Sequence, residues 1–313
     1  MKVEQKPDKL PVGVSYGNKG LTFDTGDGKF AATMQHRLQF RYAYPFDADP
    51  RAAGDLSAEG HSFMVRRARF KLSGHAYKPW LKYYFQYDWS QPILRDFYVS
   101  VARFSWLELR FGRGKVIYND ERVASSGQQQ FVNRSIVNDI FTVDRQQGIQ
   151  LMGRLFDNTP ADISYVFGVF SGRGVGERLN DDANLMYAAR LQWNAIGDPI
   201  EFSQSDVRVS QRLQVNLAAG AMTNKSQCTS YETDAISCRR VSTVYPIPGS
   251  TVLPGQFKID QAVVELRAVY KGLYFKHESH VKRITDQSYQ NITWPREAEM
   301  GAAWCSSVIS RMV

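Results

Sequence analysis

Arg67, Arg69 and Lys71 alternate with Ala68, Phe70 and Leu72 in the run Phe63-Met-Val-Arg-Arg-Ala-Arg-Phe-Lys-Leu-Ser73. In an extended chain successive side chains point to opposite faces, so positions two apart share a face at a spacing of about 7 Å. The three cations therefore form a row, and no acid stands among them in the sequence. They repel one another and are too costly to bury dry, so this face must meet water or an anion. Arginine offers a planar fork of donors that fits a phosphate or carboxylate with two parallel hydrogen bonds, and lysine offers a mobile point charge. The opposite face is apolar. Such a strand is either the skin of a soluble sheet or the wall of an anion pathway.

The elements around it favour the wall. Gln35, Arg37, Gln39 and Arg41 alternate with Leu38, Phe40 and Tyr42, and Lys82, Tyr84, Gln86 and Asp88 alternate with Tyr83, Phe85, Tyr87 and Trp89. The same two-residue period runs through Asp96/Tyr98/Ser100, Asp162/Ser164, Arg190/Gln192, Arg212/Gln214/Asn216 and Glu265/Arg267, each interleaved with apolar residues. Eleven strands follow, at about 30–45, 62–77, 81–89, 93–104, 106–116, 147–156, 161–170, 185–194, 210–223, 257–270 and 273–283. Aromatic residues gather near strand ends, and Pro, Gly, Asn or Asp mark short joints such as Asp157-Asn-Thr-Pro160 and Gly197-Asp-Pro199. This is the pattern of an all-β, antiparallel transmembrane β-barrel with lipid outside and water inside. A soluble β-sandwich shares the alternation but rarely supplies so many long, aromatic strands.

Composition agrees. The chain has 313 residues, 43% of them hydrophobic, and no run of about 18 apolar residues, which excludes a helical membrane protein. A formal net charge of +8 draws anions, yet the basic residues are spread singly along strands and form no block of the kind that grips nucleic acid. Met1-Lys-Val-Glu-Gln-Lys-Pro-Asp8 has no apolar core and is not a secretory signal. The expectation is therefore a mature chain or one lacking its true beginning. Cys228 and Cys238 bracket a polar loop, where a disulfide and two separate thiols are both open, and Cys305 stands alone. The five histidines do not cluster as metal ligands, and neither a metal nor another cofactor is expected.

Three segments break the period. Residues 1–28 form a polar lead-in to the barrel of 29–283. Residues 117–146 hold apolar side chains but no alternation, and a loop of that length is usually functional. In a barrel it would fold inward and narrow the lumen. Residues 284–313 lose the alternation, and eleven strands is odd for a bacterial barrel. The tail therefore suggests a truncated or frame-shifted C-terminal end.

Several stretches together resemble the phosphate-selective porins O and P of Gram-negative outer membranes: Phe63-Met-Val-Arg-Arg-Ala-Arg69, Leu94-Arg-Asp-Phe-Tyr-Val99, Arg110-Phe-Gly-Arg-Gly-Lys-Val116, Ser125-Ser-Gly-Gln-Gln-Gln-Phe-Val-Asn-Arg-Ser-Ile-Val-Asn-Asp-Ile-Phe-Thr142, Phe167-Gly-Val-Phe-Ser-Gly172 and Tyr187-Ala-Ala-Arg190. The resemblance spans about 20–283. It implies a sixteen-stranded homotrimeric barrel in outer-membrane lipid, with an inward-folded third loop, an arginine ladder and lysines at the constriction. Arg37, Arg66 and Arg67 match ladder positions, Lys82 matches a constriction lysine, and Arg122 matches the cation of the inward loop. About five of the family's strands, and the arginines of a later loop, have no counterpart here.

The expected anion-contacting set is Arg37, Arg66, Arg67, Arg69, Lys71, Lys82, Arg110, Lys115 and Arg122. The expected function is passive diffusion of phosphate or polyphosphate, without catalysis. The competing assignment for each cation is an ordinary cross-strand pair with Asp88, Asp96, Glu108 or Glu265. Two other functions are weaker. Ser125, Ser126 and His75 invite a barrel hydrolase of phospholipase type, but no Gly-x-Ser-x-Gly elbow is present. A soluble basic β-protein binding polyanions lacks an aromatic stacking motif.

Overall fold

The computed structural model describes residues 11–17, 20–46, 57, 59–130, 134–175, 180, 183–206, 208–228, 231, 257–286 and, as backbone, 302–311. Among them fourteen strands lie in chain order, each hydrogen-bonded to the next. They divide between two compact units, Met1–Val99 and Ser100–Val313, taken in turn.

The first unit holds β1 (Val12–Gly17), β2 (Gly20–Thr25), β3 (Phe30–Ala43), β4 (Ser62–Ala76), β5 (Lys78–Asp88) and the larger part of β6 (Ile93–Phe104). The polar lead-in thus carries a β-hairpin that was not among the expected strands. At its β2–β3 turn, Thr25 and the Lys29 amide hold the Asp27 carboxyl at about 2. Strands β3 and β4 are the long pair, fixed by the register Arg37↔Arg69 and Gln35↔Lys71. Gly74 is required there: a Cβ would fall 1.8 Å from the Ala31 carbonyl oxygen on β3.

The register of β3 on β4 shifts between Gln39 and Phe40, which pair with Arg67 and Val65 and leave Arg66 as the extra residue of a bulge. Phe63 and Val65 are exposed before it, whereas Arg67 and Arg69 are buried after it. Simple counting by two gives Arg66 the parity of the apolar face. The bulge instead puts it in step with Met64, half-buried on the polar side.

The second unit holds the end of β6, then β7 (Leu107–Lys115), α1 (Asp120–Val123), α2 (Ile136–Phe141), β8 (Arg145–Leu155), β9 (Ile163–Phe170), β10 (Met186–Ile196), β11 (Gln214–Ser226), β12 (Phe257–Tyr270), β13 (Leu273–Asp286) and β14 (Ala302–Arg311). All eleven strands expected from alternation are present; β14, like β1 and β2, is additional. The β12–β13 turn is two residues, Lys271 and Gly272, both at positive φ (46° and 82°). That matches the twist of the strands it joins. At the β8–β9 turn the Arg154 guanidinium, assisted by Asn194, holds the Asp162 carboxyl below the usual carboxylate range.

Each unit is inverted relative to a water-soluble protein. On β10–β13 the buried face carries Arg190, Asn216, Glu265, Arg267, Lys276 and Glu278, while the exposed face carries Leu191, Trp193, Leu217, Val264 and Val281. In the first unit Leu38 and Phe63 are each 72% exposed, against 3% for Arg67. No helix among the described residues is long and apolar enough to cross a membrane. An apolar exterior over a polar interior is what strands facing lipid require, since only they satisfy their backbone in hydrocarbon by pairing with one another.

Candidate anion pathway

On the polar face of the first unit the residues stack in rungs across β3, β4 and β5. One rung is Gln39 and Arg67, the next Arg37, Arg69 and Asp88, the next Gln35, Lys71 and Gln86. Arg67 donates to Gln39 Oε1 at 2.7 Å. Arg69 Nε donates to Asp88 Oδ2 at 2.6 Å, and Arg95 Nε reaches the same oxygen at 3.2 Å. The carboxylate of Asp88 also accepts from Ser90 Oγ at 2.7 Å and, more weakly, from the Ala68 amide at 3.3 Å. Arg37 and Arg69 stand directly opposite one another. Among the described residues, Arg37, Arg41, Arg66, Arg67, Arg69, Lys71 and Arg95 thus gather along this face with the acids Asp88 and Asp96. Tyr84 and Tyr98 stack beside them with ring centres 5.3 Å apart.

In the second unit the segment between β7 and β8 lies against the polar face of β12 and β13. Its attachment follows from what short helices leave unsatisfied, namely their first amides and last carbonyls. Glu265 and Glu278 stand directly opposite across β12 and β13, a like-charge pairing that costs stability unless compensated. The loop supplies compensation: the Asp120 amide donates to Glu265 at 2.6 Å and the Glu121 amide to Glu278 at 2.9 Å. Arg190 pairs with Glu265, Lys276 lies 2.8 Å from Glu278, and His280 Nε2 lies 3.0 Å from Glu278. The Asp120 side chain closes the set, 2.6 Å from Arg267 and 3.1 Å from Lys276.

At the other helix ends the roles reverse. Lys115 donates to the carbonyls of Val123 and Ala124 at 2.7 and 3.1 Å. Lys282 donates to Ile140 O at 3.0 Å, and Gln261 to Phe141 O at 3.1 Å. Val116, Tyr118 and Val143 pack on Met186, Met222, Ile259 and Val263, giving the segment an apolar footing. A second connection, 197–213, meets it: Gln204 N donates to Gln128 O and Gln130 N to Gln204 Oε1, each at 3.0 Å. Phe202 from this connection lies under the guanidinium groups of Arg190 and Arg267.

A family model described as phosphate-selective porin O and P matches residues 36–221, more than half of the 313-residue chain. The chain belongs to the phosphate-selective porin O and P family. A search of the curated proteins finds no match. Membership makes the chain an outer-membrane porin of a family of channels, not of enzymes, through which phosphate passes.

Within this porin the expected cations have different surroundings. Arg37, Arg67, Arg69 and Lys71 share the polar face of β3 and β4, with Arg66 at its bulge. Lys82 is exposed near the start of β5, opposite His75. Arg110 lies 3.2 Å from Glu108, Arg122 is buried against Asp144, and Lys115 serves loop carbonyls. His75, one member of the hydrolase alternative, is engaged with Gly28 O at 3.0 Å.

The expected set omitted Arg95, Arg190, Arg267, Lys276, His280 and Lys282. Arg190 and Arg267 already stood on polar parity in the sequence. Lys276, Glu278, His280 and Lys282 share a similar signal, spaced by two and alternating with Phe275 and Val281. Cys228 is buried and disulfide-bonded, while Cys238 lies outside the described residues. Among the described residues no group of His, Cys, Asp and Glu is placed to hold a metal ion.

Proposed function

We propose that the polar face of β3–β6 is the stretch of pore wall that passes phosphate or polyphosphate, with Arg37, Arg66, Arg67, Arg69 and Lys71 as its contacts. The observation that carries this is the shared carboxylate of Asp88, which serves both Arg69 and Arg95 while Arg37 stands opposite Arg69. A passing phosphate can displace part of that shared carboxylate's role with bidentate hydrogen bonds of its own. Rungs about 7 Å apart along a strand give several moderate sites, and an ion held moderately leaves again. Lys82, exposed, belongs at a mouth of this path. Lys115, through the Val123 and Ala124 carbonyls, and Arg122, through Asp144, brace the 117–146 segment, which is the proposed constriction, while Arg110 is held by Glu108 on its own strand. A homotrimer in outer-membrane lipid is the assembly the family resemblance implies.

The test is reconstitution of the full-length porin in a planar bilayer. Anion-selective current, with chloride flow blocked by phosphate, is expected. The R67E/R69E double variant should weaken the phosphate block by at least about tenfold, the loss of one charge-assisted contact of roughly 1.4 kcal/mol or more. Cation-selective current in the unmodified porin would overturn the proposal.

A further inference from the structure

The exposed face of β10–β13 carries an unusual patch at the end nearest the longer connections. Ala189, Ala221 and Ala262 stand side by side on β10, β11 and β12. Phe167 and Val281 flank them on β9 and β13. Three methyl groups between larger side chains leave a depression of about 510 Å3 with an apolar floor. The next row along the strands is polar, Thr223, Asp260 and Arg283, and above it Lys225 stands opposite Lys258. Thr223 donates to Asp260 at 2.6 Å, and Lys258 lies 3.2 Å from Asp260. Among the described residues, Lys225 and Lys258 thus face one another with the Asp260 carboxylate beside them.

We infer that this patch is a binding site for an anionic, phosphate-bearing lipid, with an acyl chain in the alanine trough and the headgroup phosphate between Lys225 and Lys258. This goes beyond the transport reading and rests on it only for the statement that this face meets the bilayer. Charge selects the occupant. A zwitterionic lipid gains little beside the opposed pair Lys225 and Lys258, whereas an anionic headgroup relieves their mutual repulsion, and juxtamembrane cations attract anionic lipid at close range. The trough selects an acyl chain over free phosphate, because a methylene chain removes its apolar floor from contact with loosely packed lipid and fills a concave surface.

Native mass spectrometry of the detergent-extracted full-length porin tests this, with phosphatidylglycerol and phosphatidylcholine as probes. The unmodified protein is expected to retain phosphatidylglycerol preferentially. Each lysine near an anionic headgroup is worth roughly a fivefold change in retention. K225Q/K258Q should therefore lose phosphatidylglycerol by about 25-fold and leave phosphatidylcholine unchanged. A221L, which fills the trough, should lower retention of both lipids. Equal retention of phosphatidylglycerol by the unmodified protein and K225Q/K258Q would overturn the inference. So would an A221L protein that keeps its lipid, which marks a site for phosphate groups alone, or one that changes oligomeric state while keeping its lipid, which marks a contact between copies. Channel activity of each variant in a planar bilayer shows that it has folded. A protein that conducts anions yet fails the lipid arms leaves the transport proposal standing, while one that conducts no anions fails that proposal separately.

Discussion

At the scale of single residues, Asp88 is the pivot of the first unit, because one buried carboxylate receives two guanidinium groups. Asp88→Asn leaves Arg69 and Arg95 without it, and removing one partner of a buried pair costs about 3–5 kcal/mol. On an anion path that loss is recoverable. Thermal unfolding of D88N should show a large drop in stability that phosphate restores and chloride at equal ionic strength restores less; a drop indifferent to phosphate would speak for a purely structural pair. The row Arg67, Arg69 and Lys71 was legible in the sequence as a face needing water or anions, and Asp88 was visible as a potential partner. What the sequence did not show was which cation Asp88 meets. That depends on register, and the register of β4 on β5 shifts between Ala76, opposite Lys78, and His75, opposite Lys82, an irregularity that alternation does not show.

At the scale of elements, the segment between β7 and β8 was legible as an interruption but not as a pair of helices. Helices of four and six residues carry too few periodic positions to be read, and in isolation so short a helix is not stable. Their stability comes from the sheet: carboxylates for the amides of α1, donors for the carbonyls of α2, and Asp120 between Arg267 and Lys276. Asp120→Asn leaves those two buried cations without their shared acid, a cost again of about 3–5 kcal/mol. The loss falls first on the segment itself. Trypsin cleavage at Arg122 or Arg134 should accelerate at least about tenfold, since each 1.4 kcal/mol of easier opening gives that factor. Single-channel current should rise in parallel. Unchanged cleavage would show that the segment is held by its apolar footing alone.

At the scale of the whole molecule, the all-β antiparallel class and all eleven expected strands were readable because a two-residue period repeated so often cannot arise from helices. The hairpin β1–β2 escaped notice because its strands, though they alternate (Val12, Val14 and Tyr16 against Gly13, Ser15 and Gly17), are only six residues each, and β14 because Ala302–Arg311 lacks a clean separation of polar and apolar faces. The inverted distribution of polarity makes its own prediction. Val264, 59% exposed in the middle of the apolar face, should tolerate arginine poorly. In lipid vesicles Val264→Arg is expected to cost about 2–4 kcal/mol, whereas an exposed site on a soluble protein would change by no more than about 0.5 kcal/mol. Denaturant unfolding in vesicles distinguishes the two.

The extra residue at Arg66 has a consequence for how such chains are recognised. It acts as a phase slip in a periodic signal. Before it, odd-numbered positions of β4 carry the apolar side chains, and after it even-numbered positions do. A detector that averages by a fixed period over 62–76 adds two stretches in antiphase, and they cancel. It scores as noise the strand that holds the densest charge, so a search for channels of this kind should allow one slip per strand.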